Sequence, residues 1–136
     1  MSGRRQIGAF GLAVLLAGCA AAPDKAAVDD PGIRVESLRL TAADYMLDLR
    51  YRITDPERAA PFFNRKTELE LVDTASGARL AVPNTPKLGK LRQVARKDMT
   101  DRSYFVLFAN PGRYLRPGSH VVLMAGDTRI GELTVE

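Results

Sequence analysis

The chain has 136 residues, with 20 Lys and Arg against 16 Asp and Glu and a formal net charge of +4. That length holds one domain with a core of its own and leaves no room for two, and a balance so near neutral is poor footing for a nucleic-acid partner. The single cysteine excludes a disulfide within the chain, so apolar burial has to hold the fold.

The first segment reads as an address rather than as structure. Arg4 and Arg5 precede Ile7 to Ala17, an uncharged, mostly apolar run as long as a secretory signal core and well short of the ~20 residues that cross a bilayer. Leu16-Ala17-Gly18-Cys19 follows and resembles the lipobox of bacterial lipoproteins. The resemblance implies that residues 1–18 are a lipoprotein signal peptide cut off before Cys19, and that Cys19 becomes the acylated (palmitate-bearing) N-terminus and the chain's link to a membrane. Each buried methylene contributes roughly 0.8 kcal/mol, so a diacyl group holds a protein on a bilayer where one chain binds only marginally. In enteric lipoproteins an Asp after the cysteine favours the inner membrane; Ala20 stands here, which implies the outer membrane with the domain facing the periplasm. Without Arg4 and Arg5, 18 basic residues face 16 acidic ones, a formal +2.

Cys19 and the residues to Gly32 are rich in Ala, Pro and Asp, without periodicity, and read as a tether. The 13 residues from Ala20 to Gly32 reach at most about 45 Å and average nearer 20 Å as a flexible chain. Residues 33–136 then form the domain. Ile33 and Val35 share one parity, Leu38 and Leu40 the other, which predicts a strand with a bulge near Glu36 and Ser37. Tyr45, Leu47, Leu49, Tyr51 and Ile53 alternate with polar residues and predict a strand with one buried face. Asp55-Pro56-Glu57 offers a helix start, which Pro61 limits to about a turn. Glu68–Leu71 and Arg79–Val82 predict a hairpin across Thr74–Gly77. Pro83 and Pro86 interrupt pairing, and Leu88 to Lys97 fits an edge strand or a helical face, the former preferred. Tyr104–Phe108 is a continuous apolar run of β formers, as in a central strand covered on both sides. Asn110-Pro111-Gly112 and Arg116-Pro117-Gly118 mark turns, and Gly126-Asp127 joins His120–Ala125 to Thr128–Val135 as a compact hairpin.

About seven or eight short strands with little helix predict an all-β fold, an antiparallel immunoglobulin-like β-sandwich, with a small barrel as the competitor. Leu49-Arg50-Tyr51-Arg52-Ile53-Thr54-Asp55-Pro56 at a strand end resembles the strand-then-Asn-Pro pattern of water-stress and desiccation-tolerance (late-embryogenesis-abundant) sandwich domains, with Asp in place of Asn. That resemblance implies architecture only.

Candidate chemistry is sparse. His120 is the sole histidine, and Met124 lies four residues on along a strand, about 13 Å away and too far to share one metal ion; Met46 or Met99 could join one of them in space. A half-buried histidine and a core-filling methionine are the expected roles, with no metal and no cofactor. Glu68 and Glu70 share a strand face about 6.6 Å apart, within the range of glycosidase carboxylates, but alternation with Leu69 and Leu71 is what a solvated face looks like. A serine triad would need His120 beside an elbow that is not there, and Gly89-Lys90 lacks the rest of a phosphate loop. No catalytic residue is expected. Lys87, Lys90, Arg92, Arg96, Lys97 and Arg102 form a basic cluster, diluted by Asp98 and Asp101, that could touch anionic lipid head groups or acidic wall polymer. The expectation is therefore a non-enzymatic binding or scaffolding module of the envelope with a protein partner. The alternatives are an accessory subunit docking by edge-strand addition, or a metal carrier or enzyme using His120.

Overall fold

The structure, a computed structural model, describes residues 30–136. The expected signal peptide, Cys19 and most of the expected tether lie outside the described residues. No helix among the described residues is long and apolar enough to cross a membrane.

Alternation builds the first sheet. In β2 (Met46–Ile53), Leu47, Leu49, Tyr51 and Ile53 are buried while the residues between them face outward. It pairs antiparallel with β1 (Ile33–Thr41) on one side and with β7 (Ser103–Ala109) on the other. The expected bulge is present: Val35 faces Tyr51 and Ser37 faces Arg50, leaving Glu36 as the extra residue. Tyr45 departs from its expected inward position and is 53% exposed. The backbone turns away before it, because Ala42, Ala43 and Asp44 are all left-handed, with φ of 51°, 54° and 70°. β7 also differs from expectation. Tyr104, Val106 and Phe108 are buried, but its other face is only half-covered, and Arg50 lies over the Phe105 ring at 5.4 Å.

The second sheet is made of the two expected hairpins. β3 (Leu69–Asp73) pairs with β4 (Arg79–Ala81), and β8 (His120–Ala125) with β9 (Thr128–Thr134) around Gly126-Asp127. The sheet orders are β1-β2-β7 and β4-β3-β8-β9. Read as immunoglobulin strands these are A-B-E and C′-C-F-G, a Greek-key sandwich in which the chain changes sheet after β2, after β4 and after β7. Leu47, Leu49, Val106 and Phe108 of one sheet share a core with Leu71, Val121 and Leu123 of the other. Among the described residues, the buried apolar side chains of that core run from Ile33 to Val135.

The connections explain the remaining differences. Asp55 Oδ1 accepts the Glu57 and Arg58 amides at 3.0 and 3.4 Å, capping a turn rather than the helix itself. The helix α1 (Ala60–Phe63) follows, with Pro61 in its first turn, where the absent N–H costs nothing. Its buried Phe62 ring packs 5.0 Å from Tyr51. Leu88 to Lys97 is an edge only in part. A small hairpin forms from β5 (Asn84–Thr85) and β6 (Gly89–Lys90). Beyond it, Leu91 to Gln93 lies along β7 through Leu107 N to Leu91 O and Gln93 N to Phe105 O, both 2.9 Å.

Candidate functional site

The chain ahead of Ile33 meets the sandwich at a fixed place. The Gly32 carbonyl accepts the amides of Thr54 and Asp55 at 2.8 and 3.1 Å. A Cβ at position 32 would sit 2.4 Å from the Asp55 carbonyl, and φ there is +74°, so glycine lets the two backbones touch. Register defines what else lies at this end. Ile33 faces Ile53, and Arg52 faces Ser103, so the loops 54–68 and 94–102 flank the point where the chain enters the sandwich.

Between these loops and the β5–β6 hairpin runs a groove of about 850 Å³. Phe63, Leu88, Val94 and Met99 give it apolar walls, and Arg65, Lys90, Arg96 and Arg102 line it with positive charge. Tyr104 fastens one wall from beneath: its hydroxyl donates to the Met99 carbonyl and accepts the Arg96 amide at 3.2 Å. Thr85 fastens the other, accepting the Leu88 amide through Oγ1 and donating to the Gly89 carbonyl, both at 3.1 Å. Leu88 at the hairpin tip is nonetheless 77% exposed.

The basic residues of the cluster are not equivalent. Lys90 is paired with Glu68, and Arg96 with Asp98 at 2.9 Å. The hydrogen bond from Arg96 holds the Asp98 carboxyl below its usual range, and the same bond raises the Arg96 guanidinium. Arg92 turns inward and donates to the carbonyls of Thr67, Phe62 and Asn64 at 2.8, 3.3 and 3.3 Å, stapling the 54–68 loop to the sheet. Its Nε and the nearby Tyr51 hydroxyl are buried with no hydrogen-bond partner among the described residues. Desolvation lowers the Arg92 value and pushes the Tyr51 phenol up to about 12. Lys87, Lys97 and Arg102 have no carboxylate partner among the described residues, and neither has Arg65. The structure thus gathers Lys90, Arg92, Arg96 and Arg102 into one groove, leaves Lys87 and Lys97 outside its lining, and adds Arg65. Sequence spacing gave no route to Arg65, which arrives through a different loop.

The other candidates stay apart. His120 is exposed rather than half-buried, with Nδ1 3.1 Å from Thr134 Oγ1, and Met124 sits half-buried on the same outer sheet face rather than in the core. No group of three His, Cys, Asp or Glu side chains that could hold a metal ion occurs among the described residues. Glu68 and Glu70 are each drawn to a different cation, Lys90 and Arg79, the latter at 2.6 Å. At the end of the sandwich away from Gly32, exposed Tyr45 lies beneath the Arg113 guanidinium at 5.5 Å, with exposed Tyr114 following in sequence. No family model, curated protein or solved structure matches the chain.

Proposed function

We propose that the protein is a lipid-anchored module of the bacterial cell envelope, held on the periplasmic face of the outer membrane by acylated Cys19, and that its sandwich binds or scaffolds rather than catalyses. The observation that carries this is the order of parts in the chain. A charged start, an apolar run and Leu16-Ala17-Gly18-Cys19 stand a short tether's length ahead of a domain whose core begins at Ile33. The tether's clamped exit through Gly32 supports the reading, since it gives the domain a defined end toward its anchor.

Fractionation of cells fed a labelled palmitate analogue tests it. The wild-type chain is expected in the membrane fraction carrying label, and Cys19→Ala in the soluble fraction without it. Unlabelled wild-type protein in the cytosol would overturn the proposal. A second reading, an accessory subunit that docks by strand addition, rests on β9, whose outer edge pairs with no other strand among the described residues. Crosslinking from β9 positions in intact cells would capture a protein partner on this reading.

A further inference from the structure

We propose that the groove and the β5–β6 hairpin dock on the anionic head groups of the bilayer that holds the anchor, with Leu88 entering the interface. This rests on the lipid-anchor reading above and assigns that membrane to one end of the domain. Three observations converge on it. The tether leaves the sandwich beside the loop that carries Arg65, so a short tether brings this end, and not the Tyr45 end, toward the membrane. Residues 83–102 contain six Lys and Arg against two Asp, and Lys87, Lys97, Arg102 and Arg65 meet no carboxylate among the described residues. Leu88 is the most exposed large apolar side chain among the described residues, held at a braced hairpin tip with Lys87 beside it and Lys90 two residues on.

The chemistry suits a lipid surface better than a small anion. A free phosphate would need convergent donors, yet Arg92, the half-buried guanidinium of the groove, commits both terminal nitrogens to backbone carbonyls. Exposed lysine and arginine around an apolar tip instead match an interface where head groups are negative and the layer beneath is apolar. Each basic side chain near such a surface favours binding roughly fivefold, and the gain falls off within a Debye length of about 8 Å. The tether keeps the domain within reach of that short range.

The test holds the chain by an artificial anchor, so that its outcome is independent of acylation in the cell. The chain from Ala20 onward, with a hexahistidine tag in place of the residues before it, is bound to nickel-chelating vesicles. A polarity-sensitive dye is attached in Leu88→Cys and, as the far-end control, in Tyr45→Cys. On vesicles containing phosphatidylglycerol the dye at position 88 should shift to the blue, and it should not do so on phosphatidylcholine alone. The shift should vanish at high salt and in the triple variant Lys87→Glu, Lys97→Glu, Arg102→Glu, while the dye at 45 stays in water throughout. A dye at 88 that remains water-exposed on phosphatidylglycerol, or equal responses at 88 and 45, would overturn the proposal. So would a response to soluble polyglutamate with none to vesicles, which would point to an acidic polymer instead. Failure of the anchor reading would show separately, as unlabelled Cys19 in the palmitate experiment.

Discussion

Asn110 is fully buried, and its side chain holds two loops at once. Nδ2 donates to the carbonyls of Asp44 and Leu115 at 2.8 and 3.0 Å, and Oδ1 accepts the Leu115 amide at 2.8 Å. This is how three consecutive left-handed residues before β2 are tolerated, although each costs on the order of 1 kcal/mol outside glycine. Asn110→Ala would leave those backbone groups unsatisfied and should destabilise the fold by about 3 kcal/mol in urea unfolding. Gly32 makes the matching prediction at the other end. Gly32→Ala puts a Cβ into the Asp55 carbonyl at a positive φ and should cost about 2 kcal/mol, with hydrogen-exchange protection of the Thr54 and Asp55 amides falling first. Neither role could be read from sequence. Asn110-Pro111-Gly112 announces a turn, but the groups that Asn110 satisfies include Asp44, 66 residues away.

The bulge in β1 shows how one irregularity serves a whole element. As the unpaired residue, Glu36 reaches across β2, accepting Arg52 through Oε1 and the Ser103 hydroxyl through Oε2 at 2.6 Å. Arg52 in turn donates to the Asp101 carbonyl at 2.7 Å, so the three strands and the 94–102 loop are bolted together. The hydrogen bond from Ser103, then that from Arg52, holds the Glu36 carboxyl below its usual range. A depressed folded value means that its contribution is complete above the unfolded glutamate value of about 4.3 and is lost as pH falls through the folded one. Glu36→Gln should therefore flatten the acid limb of a stability-versus-pH curve relative to wild type while leaving its shape above pH 6 unchanged, as followed by thermal melts. The bulge itself was legible, because a change of parity from Val35 to Leu38 is a local signal. So were β2, from its alternation, and the β8–β9 hairpin, from Gly126-Asp127 between apolar runs. Leu88 to Lys97 was not, because its course is set by Gln93 and Leu91 bonding to β7 and by Arg92 reaching three carbonyls of a distant loop. The groove inherits that illegibility: its basic residues were visible as a cluster along the chain, their meeting with Arg65 and Phe63 was not.

At the scale of the molecule, two thin sheets depend on a core supplied by alternate residues of both, without a disulfide. Phe108 is wholly buried between them, so Phe108→Ala should remove about 3–5 kcal/mol, a large share of the stability of a domain this size, and lower the melting temperature by well over ten degrees. Such a sandwich presents two unlike ends. One carries Gly32, the basic groove and Leu88, the other the Asn110-braced turn with Tyr45, Arg113 and Tyr114. A polarised body of this kind suits a module fixed to a surface at one end and free at the other. That arrangement depends on the covalent fate of Cys19, which intact mass spectrometry of the protein purified from its own membranes reads directly. The expected result is a chain that begins at Cys19 and carries the added mass of a diacylglyceryl group. A chain that keeps residues 1–18, or an unmodified Cys19, would contradict it.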